Sequence, residues 1–444
     1  MTVIHPDPAA LERFAQGSLA AKDNRRIVRG LLTTWRACRS EIEQIWRGED
    51  HASAPAADAG KDLGFSRLVE RMLELARDRE RVPELVGRLD ALRVEERRCA
   101  LRSDPSFWSW SFCEWLVEEC HRMTDGDVTR AEDLADFAVA VAESLDPRQH
   151  GELLINDLKG RAWGAVGEVL RSLADLRSSD EAFGIAEDFI AEGTGDALEE
   201  ARLLELKAAL RRDQQRLPEA HQLLDEVVAI YRQYRDFHLV GRGFVQKGRV
   251  SAAGDDLEAA IRWLRKGLSL LDPDRERHLA LSARHSLMLC LHEGGRHQEA
   301  WFLLKASRSE VREAQGELLS LRMRWLEGKI QHALGALPEA EEALADARAG
   351  FIAREIGFSA ALVSLDLAGL YADQGRPALM RRLAEEMLPI FRSQDLHREA
   401  IAALLVFRQA VRMEKVSTDL LDEIRTYLKR ARKDCQLRFE SSMN

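Results

Sequence analysis

Arginines recur along this chain at a fixed interval. Arg202 and Arg242 stand 40 residues apart, Arg322 lies two intervals further on with Ser282 between, and Arg161 falls one residue off the series. A second series at the same spacing holds Ala209, Arg249, Leu289 and Lys329. A third holds Arg212, Ala252, His292 and His332, and a fourth holds Glu205, Val245, His285 and Trp325. A guanidinium presents a planar fork of N–H donors that fits a carboxylate, so these residues could hold an acidic segment, with Trp325 as an apolar anchor. The competing use is local pairing with a glutamate one helical turn away, as between Arg202 and Glu205. Either way the chemistry on offer is binding.

Patterns for bond-making chemistry do not accompany them. The chain has no phosphate-binding lysine loop, no dinucleotide-binding glycine signature, no HExxH and no nucleophile elbow. Cys120 and His121 are neighbours, which on a helix point about 100° apart and do not pair. Gly193-Thr194-Gly195-Asp196 reads as a turn between helices. His292 and His297 flank a turn and read as exposed or capping rather than metal-binding. The expectation is a protein without catalytic residues, cofactor or metal.

Composition narrows the class. The 444 residues are 45% hydrophobic and 32% charged, with a net charge of −10, which disfavours nucleic acid as the main partner because phosphate binding rests on basic surface. Six scattered cysteines without a CxxC read as reduced thiols in a cytoplasmic protein. No apolar run reaches the roughly 18–20 residues of a membrane span, and the first ten residues do not read as a signal peptide.

The elements that must position the basic series are helices. Residues 1–47 form a small helical unit, and 48–64, rich in Ala, Gly and Asp, reads as a flexible linker. Residues 65–104 form a helical extension with stripes at Leu68, Met72 and Leu75 and, after Pro83, at Leu85, Leu89 and Leu92. Asp104-Pro105 opens an aromatic helix in which Phe107, Trp108, Phe112, Trp115 and Leu116 share one core face. From there to about 415 the interval of 40 governs. Leu217-Pro218-Glu219-Ala220, Leu257-Glu258-Ala259-Ala260, His297-Gln298-Glu299-Ala300 and Leu337-Pro338-Glu339-Ala340 are in register. Gly167, Ala208, Gly248 and Gly328 occupy one small position, from which Met288 departs. Phe183, Leu224, Leu264, Leu304 and Leu344 occupy one large position. A small residue against a large one lets paired helices approach closely. The helix pair near 360–392 has Leu379 where the alanine would be. Residues 416–444 supply a capping helix and tail.

These units resemble tetratricopeptide repeats, with a period longer than the usual 34 residues; HEAT-like helix pairs are the alternative. The resemblance implies an all-α, right-handed superhelical solenoid whose first helices line a concave groove. It places Arg161, Arg202, Arg242, Arg249, His285, His292, Arg322, Trp325, Lys329 and His332 along that groove. The implied function is a protein-interaction scaffold or regulator binding a peptide or partner domain.

Residues His5 to Arg39 resemble the zinc-binding module of bacterial anti-sigma factors. The resemblance is carried by His5, Leu11, Phe14, Gly17-Ser18-Leu19, Arg25-Arg26-Ile27-Val28, Leu31-Leu32 and Cys38. In that family a helix histidine and a closing CxxC complete the metal site. Gly30 and Trp35 stand at two of those places, and two ligands cannot close a tetrahedron, so no zinc is expected. The module implies an alternative function, an anti-sigma-like regulator clasping a sigma factor.

Overall fold

A computed structural model describes residues 59–124, 126–313, 317–393, 398–412 and 417–431. The N-terminal unit with His5, Gly30, Trp35 and Cys38, residues 48–58 and the tail beyond 431 lie outside the described residues.

The described residues are helical throughout and contain no strand. The first helix, α1 (Ala59–Asp90), takes in the last residues of the stretch read as linker and runs on through Pro83, so Leu85 and Leu89 continue it rather than opening a new helix. α2 (Val94–Ser103) follows. Pro105–Phe107 is a single 3-10 turn capped by Asp104, and α3 (Trp110–Met123) starts after it with Ser109 as N-cap. Phe107 and Trp108 therefore precede the aromatic helix, and the buried stripe within it is Phe112, Cys113, Leu116 and Cys120. α4 (Val128–Ser144) packs on α3. One apolar core joins these helices to α5 (Glu152–Ser172), from Ile155 to Val169.

After α5 come α6 (Leu176–Ala191), α7 (Ala197–Asp213), α8 (Leu217–Gln233), α9 (Phe237–Ala253), α10 (Leu257–Leu268), α11 (Arg277–Glu293), α12 (His297–Glu313), α13 (Glu317–Ala333), α14 (Leu337–Ala353), α15 (Gly357–Asp373) and α16 (Pro377–Ser393). First helices start at 197, 237, 277, 317 and 357, and second helices at 217, 257, 297, 337 and 377. From 197 to 393 the interval of 40 thus holds without slippage, including in the pair at 357–393, whereas the earlier helices, which start at 110, 128, 152 and 176, do not keep the interval expected from about 105 onward. α17 (Arg398–Arg412) and α18 (Thr418–Ala431) end the described chain, α18 packing on α17 and on α15.

Turns between first and second helices repeat with the same interval. The left-handed position falls on Gln215, Asp255, Gly295, Gly335 and Gly375. Each turn closes with a pair of backbone bonds, as where Gly335 N–H donates to His332 C=O (3.0 Å) and Ala336 N–H to Gln331 C=O (2.9 Å). That pairing satisfies carbonyls that a helix end would otherwise leave orphaned.

Within the pairs, the small-against-large contact is physical. A Cβ built on Gly167 would stand 2.5 Å from the Phe183 ring, on Gly248 2.6 Å from Leu264 Cγ, and on Gly328 2.7 Å from Leu344 Cγ. Ala208 and Leu224 share one buried cluster. Where Met288 replaces the small residue, it and Leu304 are both buried.

The chain divides into two compact units. One holds the described residues to Val169 with 178–203 and 230–237, and the other holds 170–177, 204–229 and everything from His238. In the second unit α11 packs beside α13 and α13 beside α15, so these three first helices form a continuous face.

Candidate functional site

The basic series divides by how each guanidinium is satisfied. In the first unit, Arg161 donates from Nε and Nη2 to both oxygens of Glu199 at 2.6 Å each, and from Nη1 to Glu114 at 3.3 Å. Arg202, exposed, pairs with Glu199 three residues earlier on its own helix. The local partner anticipated for Arg202 was Glu205, but Glu205 is committed elsewhere.

In the second unit, Arg242 donates through Nε to Glu205 Oε2 at 2.9 Å and through Nη1 to Glu276 at 3.3 Å. Arg161 and Arg242 thus follow one plan, a guanidinium flanked by one carboxylate from earlier and one from later in the chain. Burial would push the Glu276 carboxyl up, but a hydrogen bond from His238 and the charge of Arg242 outweigh it and hold the group at about 2.

Arg322 occupies the position of Arg242 two repeats on, and the plan fails there. The residue 37 before Arg242 is Glu205, and the residue 37 before Arg322 is His285. The residue 34 after Arg242 is Glu276, and the residue 34 after Arg322 is Ile356. The half-buried Arg322 guanidinium has no hydrogen bond or ion pair among the described residues.

The charged side chains that act most strongly on His285 are all cationic. Burial lowers its pKa first, the Arg322 charge adds to this, a hydrogen bond with the Arg322 backbone opposes it, and Lys329 and Arg249 lower it further, to about 4. Arg249 donates to Ser282 Oγ at 2.9 Å, which holds it over α11. His292, seven residues beyond His285 on the same helix face, is lowered to about 3 by burial, then by Lys329 and His297. Its Nδ1 lies 3.2 Å from His297 Nδ1, so the two rings are half-buried and bonded to each other rather than exposed caps.

The remaining predicted residues frame this cluster. Trp325 donates its indole N–H to Asp366 at 2.6 Å and stands edge-on to Phe351. Asp366 also lies 2.9 Å from Arg425 of α18. Trp325 is therefore fixed between α13 and α15, with its polar edge already used. His332 Nε2 lies 2.9 Å from Asp373. The carboxylates Glu199, Glu276 and Asp366 were not in the sequence-derived set. Searching for acids displaced by about one repeat from each arginine would have found the first two.

No group of three or more His, Cys, Asp or Glu able to hold a metal ion occurs among the described residues. Gly193-Thr194-Gly195 is a turn, with the Thr194 backbone N–H and hydroxyl donating to Asp157, and Asp196 caps the next helix. Cys113, Cys120 and Cys290 are buried free thiols, and burial pushes Cys120 up to about 12. No described helix is long and apolar enough to cross a membrane.

Comparison with known proteins gives one kind of answer. No family model matches the chain, and no curated protein does. A solved Rap protein complexed with competence and sporulation factor superimposes with a TM-score of 0.51 at 12% identity, over 72% of this chain and 87% of that one. The likeness is one of fold. It places the chain among all-α, tetratricopeptide-like helical-repeat proteins. Aspartyl phosphate phosphatase F from Bacillus subtilis gives a TM-score of 0.49 at 13% identity, over 89% of this chain and 96% of that one. The anti-sigma resemblance and the sigma-factor partner gain no support from these comparisons.

Proposed function

We propose that the protein is a non-catalytic interaction scaffold that holds an acidic segment of another protein against the first helices α9, α11 and α13. The observation that carries this is Arg322. It is a half-buried guanidinium that meets no carboxylate among the described residues and acts on His285 together with Lys329 and Arg249, whereas the equivalent Arg242 bonds both Glu205 and Glu276. Charge-assisted hydrogen bonds are worth roughly 1.5–3 kcal/mol each, so an acidic segment reaching this cluster gains what Arg242 already has internally. The like-charged surroundings of His285 favour an incoming anion over any other class of partner. The Rap protein of the same fold was solved as a complex, which fits a repeat face used for holding partners.

The test uses a fluorescent acetyl-hexaglutamate amide as probe, titrated into the full chain at low ionic strength. Binding should be abolished by the double reversal Arg249→Glu with Arg322→Glu. It should also weaken steeply with salt, since exposed charges are screened over about 8–10 Å at physiological ionic strength. Unchanged helical content would show that the variant folds. Absence of binding by the wild type, or binding that survives both the reversal and salt, would move the site off this face.

A further inference from the structure

Two arginines at equivalent positions, one closed and one open, define what the open one is shaped to receive. Beside Arg242, Glu205 is almost fully buried and supplies the carboxylate. At the corresponding place beside Arg322 stands an imidazole, the one common side chain that can be neutral when alone and cationic when an anion arrives. Resting on the function proposed above, we infer that Arg322 takes one carboxylate of the bound segment in the manner of Glu205 on Arg242, and that His285 gains a proton from solvent as this seat fills.

The groups facing His285 make the coupling specific. From α9 comes Arg249, held by Ser282 of α11 itself, and from α13 come Arg322 and Lys329. Arg284 on α11 is paired with Glu310 of α12. Further along α11, His292 faces Lys329 and His332 of α13, His297 of α12 and Asp366 of α15. With the seat empty, three cations and burial keep the His285 ring neutral. A carboxylate on Arg322 cancels the charge that acts most strongly on the ring and supplies an acceptor. The protonated ring then becomes the favoured form. By linkage, a binding event that takes up a proton strengthens as pH falls, by up to tenfold per pH unit for each proton taken up. The ligand recognised is therefore a carboxylate, and its retention is graded by acidity.

Calorimetric titration of the same hexaglutamate amide in two buffers of different ionisation enthalpy counts the protons taken up. Wild type should take up a substantial fraction of one proton at mildly acid pH. His285→Gln should bind the probe with little or no uptake and a flattened pH dependence. Arg322→Gln should bind at least tenfold more weakly. The decisive variant is His285→Glu, which builds the Glu205–Arg242 pair into the second position. It should raise the melting temperature and remove probe binding. Hexaglycine with a free C-terminal carboxylate separates the sources of the anion: tighter binding than the amide assigns the seat to a chain terminus, weaker binding to side-chain carboxylates. Equal proton uptake by wild type and His285→Gln, or full probe binding by His285→Glu, overturns the inference while leaving the scaffold function standing. A wild type that binds neither probe removes both.

Discussion

The repeat formed by α9 and α10 and the repeat formed by α13 and α14 stand two intervals apart and share their construction. Gly248 meets Leu264 in one and Gly328 meets Leu344 in the other, at almost the same spacing. Their first-to-second-helix turns put a left-handed residue at Asp255 and at Gly335. They differ on the first-helix face, where Arg242 is enclosed by Glu205 and Glu276 and Arg322 is beside His285. The lesson is that the array separates two tasks. Packing between paired helices is conserved internally because every repeat must bury the same seam, while the face can close one arginine and leave another open without disturbing that seam.

The largest effect should come from opening the closed position. Glu205→Ala takes from Arg242 the almost fully buried carboxylate that it bonds. The loss should be about 3 kcal/mol, near the lower end for removing one partner of a buried pair. Arg322→Ala, which removes a guanidinium with no partner to strand among the described residues, should change stability by only about 0.5 kcal/mol. Urea denaturation with hydrogen exchange resolved to α9 and α13 checks both. Similar losses at the two sites would break the comparison.

Next comes the shared seam. Gly248→Val and Gly328→Val each force a side chain into Leu264 or Leu344, and overpacking of this kind costs about 1–3 kcal/mol. The two losses should agree, and a clear inequality would mean that the repeats differ in their cores as well as on their faces. Thermal melts of both variants decide this.

Acid should separate the regions by pH. His285 titrates at about 4 in the fold against 6.5 ordinarily, so the unfolded chain binds more protons between those values. Its contribution is complete above about 6.5 and is lost as pH falls to about 4, with a slope of up to about 1.4 kcal/mol per pH unit. Glu276 is held at about 2 against 4.5, so its contribution is complete above 4.5 and is lost only as pH falls toward 2. Melting temperatures across this range should fall first through His285 and His292. His285→Gln should flatten that first decline and leave the second intact.

Much of this was legible in the sequence for a physical reason: packing constraints repeat with the fold. The interval of 40 and the small-against-large contact both follow from seams that every repeat must satisfy. Pairing on the face was not legible. Glu205 could serve Arg202, three residues away on one helix, or Arg242, one repeat later, and only burial decides. Glu205 lies within reach of Arg242, whereas Arg202 remains exposed and uses Glu199. The left-handed turn position was visible at Gly295, Gly335 and Gly375 but hidden at Gln215 and Asp255, where the backbone demand is met by residues that do not advertise it.

That turn gives the smallest effect and the closest control. Asp255 and Gly335 hold equivalent left-handed positions, with φ of 59° and 79°. A side chain there crowds the following carbonyl, at a strain of roughly 1–2 kcal/mol that Asp relieves in part by local hydrogen bonding. Glycine removes the strain but gives up more freedom on folding, by roughly 0.5–1 kcal/mol. The two terms nearly offset, so Asp255→Gly should stabilise, and Gly335→Asp destabilise, each by a few tenths of a kcal/mol. Neither should alter probe binding, because neither touches the first-helix face. A change in probe affinity on altering Gly335 would mean that the turn helps to set the position of Arg322, and the separation between seam and face would then be incomplete.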